Sequence, residues 1–335
     1  MNFEDLIGNT PLRPIQVALP VYQGYRQHHL NLKLEGYNPG GSIKDRTALA
    51  LINDVEARGL LKAGGNVVES TSGNTGAANA VICRERGYQF HAVVDPKTTA
   101  ENLQKMRNFG ACIEMVTQLD VTGGYLLNRL KRVEELIMTL PNAVWPNQYE
   151  NEANVRAHYS TTGPEIYKQM HGAIDAIFIA VSTGGTLAGT GRYLSEKLPD
   201  IRVYAVDAQG SIALGGRSGK RLLTGIGASR PSTFVRRSDY NAVGYVNDVE
   251  AFACCRALWK TVGLRVGGSS GAVIATMIAW LSDRRDRPRV VGLCADKGEN
   301  YLSTIFCDSY VRENLPHVLN REKYYTSIFL PRTEE

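Results

Sequence analysis

The chain holds 335 residues, 43% of them hydrophobic, with 38 Lys plus Arg against 33 Asp plus Glu for a net charge of +5. That much apolar material fills one large core and more naturally two, which excludes intrinsic disorder, a collagen-like rod and a small disulfide scaffold. The mild basic excess, without a long block of like charge, suits an anionic small ligand and argues against a nucleic-acid platform.

The N-terminus, Met-Asn-Phe-Glu-Asp, is acidic and leads into no apolar signal segment. No stretch of the chain approaches the ~18 apolar residues of a membrane span. Cys83, Cys112, Cys254, Cys255, Cys294 and Cys307 form no C-x-x-C pair and no zinc spacing, so we expect reduced thiols, no metal site and a cytoplasmic protein.

In chain order, the Gly-rich turn Asn38-Pro-Gly-Gly-Ser-Ile-Lys44 opens a helix from Asp45 to Arg58, with Ser42 as its expected N-cap. A short strand at Val67-Val68 runs into Glu69-Ser-Thr-Ser-Gly-Asn-Thr-Gly76 and a helix from Ala77 to Arg86. A strand over 90–94 follows, then helices from Asn102 to Phe109 and from Tyr125 to Met138. Pro141 to Ala153 has no clear period and reads as a crossing between two units. A strand over 176–181 leads through Val181-Ser-Thr-Gly-Gly-Thr-Leu-Ala-Gly189 into a helix from Leu187 to Glu196, and a strand over 203–206 comes next. Helices from Ala251 to Val262 and from Ala272 to Leu281 flank Gly267-Gly-Ser-Ser-Gly271. The basic stretch 283–289 reads as a solvated loop before a strand over 289–294, and the tail after Glu313 as irregular. Apolar runs without alternation point to strands buried on both faces, so strand, helix, strand in this order means an α/β fold with parallel sheet.

Four loops in this pattern carry chemistry. Lys44 falls in the first turn of its helix, where the dipole disfavours a cation and lowers the pKa, as a Schiff-base or proton-shuttling lysine requires. An ordinary surface lysine at a helix start weighs about equally on this motif alone. Thr71, Ser72, Asn74 and Thr75 at a strand-to-helix turn form a pocket sized for a carboxylate. The 181–189 loop lacks the Gly-Lys-Ser/Thr of a P-loop and the spacing of G-x-G-x-x-G, so it fits a monophosphate held by amides and by the Thr183 and Thr186 hydroxyls. The Gly267–Gly271 loop and Asp296-Lys-Gly-Glu-Asn-Tyr301 read singly as turns, yet all four lie at strand ends that converge on the ligand crevice of an α/β protein.

Asn38 to Arg46, Thr71 to Gly76, Thr183-Gly-Gly-Thr186, Thr162-Gly-Pro-Glu-Ile166 and Ser269-Ser-Gly, in this order over nearly the whole chain, resemble the cysteine synthase and cystathionine β-synthase family of fold-type II pyridoxal-phosphate enzymes. The resemblance implies a tryptophan synthase β-like fold of two doubly wound parallel-sheet domains, with the cofactor in the cleft between them. It assigns 1–40 plus 151–320 to a large cofactor-binding domain, 41–150 to a smaller mobile substrate domain and 321–335 to a C-terminal tail. It further implies that Lys44 carries pyridoxal 5'-phosphate, that Asn74 bonds its ring hydroxyl, that Ser182, Thr183, Gly184, Gly185 and Thr186 hold its phosphate, and that Ser269 faces its ring nitrogen. Thr71, Ser72 and Thr75 would take the substrate carboxylate with Gln148 closing over it. Lys44 would move the Cα proton of an O-activated serine, a second substrate would add at Cβ, and the enzyme would be a homodimer acting on amino acids.

Glu69-Ser-Thr-Ser, Val94-Asp-Pro-Lys97, Asn147-Gln-Tyr149, Val206 to Ser211 and Gly225-Ile-Gly-Ala-Ser-Arg230 resemble the branch of that family serving siderophore and antibiotic biosynthesis, which joins O-phosphoserine to the amine of glutamate on the way to 2,3-diaminopropionate. A phosphate leaving group and a dicarboxylate nucleophile call for arginine. Arg230 and Arg132, or Arg129 on the same helix, are the candidates, with Tyr149 and Ser182 as polar contacts. Arg217 and Arg221 read as surface charges. A cysteine synthase using O-acetylserine or O-phosphoserine, and a catalytically idle binding protein of the same fold, stand as alternatives.

Overall fold

The computed structural model describes residues 2–22, 24–121 and 123–330. Ten strands form two sheets: β1 (Leu12–Val21), β2 (Gly24–Leu34), β3 (Asn66–Ser70), β4 (Gln89–Val94), β5 (Cys112–Met115), β6 (Ala143–Val144), β7 (Ala176–Ala180), β8 (Arg202–Ala208), β9 (Ala242–Val246) and β10 (Val290–Cys294). The helices are α1 (Lys44–Ala57), α2 (Asn74–Glu85), α3 (Ala100–Asn108), α4 (Leu126–Thr139), α5 (Ala153–Ala157), α6 (Gly163–Gln169), α7 (Gly185–Lys197), α8 (Asp248–Val262), α9 (Gly268–Ser282), α10 (Asp308–Asn314) and α11 (Val318–Ile328), and a π-helical turn, His158–Thr162, joins α5 to α6.

The smaller sheet, in the order β5-β4-β3-β6, is parallel throughout. Its strands bury both faces: Val67 and Phe90 pack under α1, α2 and α3, whereas Val68 and Val93 pack under α4. That two-sided burial explains the unbroken apolar runs. The larger sheet runs β1-β2-β10-β7-β8-β9. Alternate residues of β7 again serve two cores, Phe178 with α8 and α9 and Ile177 with α6 and α7.

The molecule departs from the sequence expectation at two places. The larger sheet is not wholly parallel, because β1 pairs with β2 as an antiparallel hairpin before β2 joins β10 in parallel. Its signal is alternation, Ile15-Val17-Leu19 and His28-Leu30-Leu32 facing inward at every second place, and a search for continuous apolar runs passes over it. The C-terminal segment is not irregular either. Residues 318–328 form α11, which packs on α8 and buries Tyr325, Ile328 and Phe329, and the chain then returns to β1 through a Leu330 N–H to Gln16 carbonyl bond of 3.1 Å. Residues 331–335 of the expected tail lie outside the described residues. Among the described residues all six cysteines are free and no helix is long and apolar enough to cross a membrane.

Candidate active site

The charged residues of two motifs meet beneath the site. Arg46, two places after Lys44, bonds Glu35 and Glu165, and Lys33 adds a 2.7 Å bond to Glu165. All but Glu165 are fully buried. Burial works to raise the Glu165 carboxyl, and its bonds to Arg46 and Lys33 outweigh it and hold it at about 2. The Glu of Thr162-Gly-Pro-Glu-Ile166 therefore fixes the start of α1 to α6.

Lys44 is the first residue of α1, so Ser42 is not the N-cap; that position falls to Ile43, although the Ser42 hydroxyl still accepts the Lys44 N–H at 3.2 Å. The Lys44 ammonium makes no hydrogen bond or ion pair among the described residues. Burial lowers its pKa, and the nearby Asp296 carboxylate opposes that shift. Desolvation of the buried amine thus adds a cause for the lowered pKa that the sequence does not display.

Asp296 is the hub of the cleft. One carboxylate oxygen accepts from Asn74 at 2.7 Å and from the Tyr301 hydroxyl at 2.6 Å, its backbone carbonyl accepts from Gly267, and Ser42 bridges to it from the Lys44 loop. Its other oxygen is buried and unpartnered. The Lys44, Asn74 and Gly267–Gly271 loops converge on this residue, which the sequence displays only as part of a turn. Asn74 accepts from Asn300 at 3.0 Å and keeps one amide hydrogen free. Ser269 in the first turn of α9 is 2% exposed and its hydroxyl has no partner among the described residues.

The phosphate-sized loop lies between β7 and α7. Gly184 takes φ +99°, and a Cβ there would sit 2.1 Å from the Ser232 hydroxyl; one on Gly185 would sit 2.2 Å from Asn154 Oδ1. Glycine lets this turn press on its supports while the first-turn amides of α7, which have no intrahelical acceptor, stay available. Ser182 donates to the Gly227 carbonyl at 3.3 Å, and the Thr183 and Thr186 hydroxyls meet Asn154 and His158 at 3.2 Å each.

On the other wall, Thr75 donates to Gln148 Oε1 at 3.0 Å and Gln148 Nε2 donates to the Ser70 carbonyl at 2.9 Å, so Gln148 already lies against the Thr71–Thr75 loop. The Thr71 side chain has no hydrogen bond among the described residues. Beneath them Glu69 accepts from Ser70 N–H, Trp145 Nε1–H and Gln148 N–H at 3.0 to 3.1 Å, yet burial raises its carboxyl to about 7. Arg129 on α4 reaches the Ser72 hydroxyl and pairs with Asp95, to which Ser72 also donates.

Arg132 is not brought to the site. One turn further along α4, its guanidinium is taken by Glu114 at 2.9 Å and Glu135 at 3.1 Å on the outer surface, and Arg129 occupies the inward face. Arg230 lies at the rim, 3.0 Å from Glu150 and over the Tyr149 ring. Arg221 donates to the Gly210 carbonyl, which leaves it a loop-bracing role. Asn154 and His158 carry no Gly-rich signature and are site residues that sequence reasoning misses; Glu69, Asp95 and Asp296 lie within motifs that the sequence displays, but their roles appear only in the structure.

An amine without a partner, an unpartnered hydroxyl in a helix first turn, and a glycine cradle with open amides fit an aldehyde cofactor that carries a pyridine ring and a phosphate. The fold and this cleft define a fold-type II pyridoxal-phosphate enzyme. Residues 3–295 match the pyridoxal-phosphate dependent enzyme family, and the chain belongs to that family, with pyridoxal phosphate as its cofactor. It is 43% identical over 308 residues to the N-(2-amino-2-carboxyethyl)-L-glutamate synthase of Ralstonia nicotianae, covering 92% of this chain and 90% of that one. Among solved structures it is similar to the O-acetylserine dependent cystathionine β-synthase of Helicobacter pylori, with TM-score 0.82, 31% identity and coverage of 91% and 97%. It is also similar to an O-ureido-L-serine synthase, with TM-score 0.82, 30% identity and coverage of 94% and 95%.

Proposed function

We propose that the enzyme replaces the β-substituent of O-phospho-L-serine with the amine of L-glutamate, giving N-(2-amino-2-carboxyethyl)-L-glutamate and phosphate. The observation that carries this reading is the buried Arg129 guanidinium set against Ser72, a cation in the wall that faces an amino-acid substrate. The 43% identity to a synthase of that name supports it.

Pyridoxal phosphate, when bound, supplies the electron sink that makes loss of the Cα proton and of the Cβ substituent accessible. Lys44 would hold it covalently, the 182–186 loop its phosphate, Asn74 its ring hydroxyl and Ser269 its ring nitrogen. Ser269 offers a neutral hydroxyl there, which does not enforce ring protonation. The Lys44 amine, desolvated and uncommitted to any acceptor, takes the Cα proton at Nζ once the substrate has displaced it. Thr71, Ser72, Thr75 and Gln148 bind the α-carboxylate and orient the Cα–H bond toward that amine. Arg129 orients the Ser72 hydroxyl, and Arg230 with Tyr149 at the rim grips the second anionic group. Tyr149 is raised foremost by burial and so stays a neutral donor.

A cysteine synthase reading draws on the O-acetylserine dependent relative. Phosphate release measured with glutamate against sulfide as the second substrate separates the two, and turnover with sulfide alone would sink the first. A purified protein that fails to take up pyridoxal phosphate would favour the idle binding protein; Lys44, Asn74 and Ser269 all at the cleft speak against it. We assign the enzyme to the cytoplasm on its six unpaired thiols, and to siderophore or antibiotic precursor supply as a homodimer on the family resemblance.

A further inference from the structure

Behind the 182–186 loop lies a closed set of polar side chains whose hydrogen-bond directions are fixed by one backbone carbonyl. Asn154, 2% exposed, donates from Nδ2 to the Gln148 carbonyl at 2.8 Å. A carbonyl only accepts, so the amide is oriented, and the second Nδ2 hydrogen goes to Thr183 Oγ1 at 3.2 Å. Asn154 Oδ1 then faces Thr47 Oγ1 at 3.4 Å, and Thr47, one turn along α1 from Lys44, must spend its hydroxyl hydrogen there. The Thr47 oxygen is left as an acceptor for the group on its other side, His158 Nε2 at 3.1 Å.

His158 is fully buried, and its neighbours act on it in one direction. Burial, then Lys44 and Arg46, push its pKa well below the ordinary histidine value, so the ring is neutral and carries one proton. That proton belongs on Nε2, facing Thr47, and Nδ1 accepts from the Thr162 hydroxyl at 3.0 Å across the π-helical turn. Nε2 also lies 3.2 Å from Thr186 Oγ1. Thr183 is therefore approached from behind by the Asn154 amide, and Thr186 by the single His158 Nε2–H, which it shares with Thr47 in a three-centre bond; a protonated Nε2 cannot accept, so the Thr186 hydrogen must point elsewhere.

From this we infer that His158 and Asn154 are positioning residues for the cofactor phosphate: by occupying the oxygens of Thr186 and Thr183 from behind, they turn both hydroxyl hydrogens toward the loop, where they donate to a phosphate. The inference rests on the reading of the 182–186 loop as the phosphate site. A hydroxyl already accepting from behind is preorganised as a donor in front, and a donor aimed at an anion is worth more than a neutral one. The same chain ties α1, which bears Lys44, to the loop, so the amine and the phosphate site share one support. Gly189 makes this possible, since a Cβ there would sit 2.3 Å from the Val155 carbonyl and 2.8 Å from the Tyr159 nitrogen, and the π-helical turn could not lie against α7.

The test compares binding of pyridoxal 5'-phosphate and of pyridoxal, which lacks the phosphate, to the cofactor-stripped enzyme by absorbance titration. Thr186→Ala should weaken pyridoxal phosphate about 10-fold or more and leave pyridoxal within about 2-fold, the effect of one lost bond to a charged group. His158→Ala should reproduce that selective loss, the double variant should add little to either single one, and His158→Gln, which puts an amide N–H near the place of Nε2, should recover most of it. Asn154→Asp, which turns the donor behind Thr183 into an acceptor, should show the same phosphate-selective loss if His158→Ala proves too unstable to measure. If Thr186→Ala leaves the preference for the phosphorylated form intact, the loop is not the phosphate site and the reading beneath the inference falls. If Thr186→Ala shows the loss while His158→Ala and Asn154→Asp bind as wild type, or weaken both ligands equally, the loop reading stands and the positioning role is overturned.

Discussion

Arg129 and Asp95 enclose Ser72 between them: the guanidinium donates to the Ser72 hydroxyl, that hydroxyl donates to Asp95 Oδ2 at 3.0 Å, and Arg129 Nε lies 3.3 Å from the same carboxylate oxygen. Removing the cation leaves Asp95 buried without its partner and frees the serine to turn. Arg129→Ala should raise the KM for the amino-acid substrate about 10-fold or more with a smaller change in kcat, the sign of a lost binding contact. Arg132→Ala, whose guanidinium serves Glu114 and Glu135, should stay within about 2-fold. Steady-state phosphate release on both variants checks the pair, and equal effects would refute the assignment.

The Glu165 carboxylate joins Arg46 and Lys33 beneath Lys44. Breaking such a buried pair leaves uncompensated charge, so Glu165→Gln should cost about 3 kcal/mol of stability, read from the urea midpoint. A carboxyl held down to about 2 in the folded chain stabilises it above its unfolded value near 4.5, and that contribution disappears as pH falls from 4.5 toward 2. The variant should therefore lose less stability than wild type on acidification through that window.

Glu69 behaves with the opposite sign. Burial raises its folded pKa to about 7, so the folded chain holds the proton more tightly than the unfolded one. The stabilisation is complete below about 4.5 and is lost as pH rises through 7, on the order of 3 kcal/mol for a shift of this size. Glu69→Gln carries no charge at any pH, so whatever fixed cost it brings, its stability should fall less between pH 4.5 and pH 8 than that of wild type. Denaturant titrations of both proteins at those two pH values decide it; parallel losses would mean that Glu69 is already ionised in the folded chain at pH 4.5.

Lys44→Ala should lose turnover by about 1000-fold or more, since it removes the amine that takes the Cα proton. The same variant should lose its bound cofactor on gel filtration, whereas wild type retains it. Activity preserved in the variant would move the role of base to another residue.

What the sequence displayed and what it hid divide along physical lines. Loops that must bring backbone close to a ligand need glycine and hydroxyls in fixed order, so the Lys44, Thr71–Thr75, 182–186 and Ser269 segments stood out and the structure gathers them at one cleft. Strands covered on both faces were visible as unbroken apolar runs. The β1–β2 hairpin was hidden by its alternation, and α11 by aromatic and polar residues whose apolar face is set by packing on α8. Asp296, His158, Asn154 and Glu69 act through partners 79 to 222 places away in the chain, among them Asn74 for Asp296 and Gln148 for Glu69, and no local spacing announces such pairs. Arg129 and Arg132 differ only in which side of α4 they face, and Glu114 on the neighbouring strand settles that choice.

The most direct test of the central claim is the rate of phosphate release from O-phospho-L-serine by the holoenzyme, with L-glutamate or with sulfide as the only second substrate. Rapid release with glutamate, formation of N-(2-amino-2-carboxyethyl)-L-glutamate in equal amount and little release with sulfide are expected. Release driven by sulfide, with cysteine as product and glutamate inert, would contradict it.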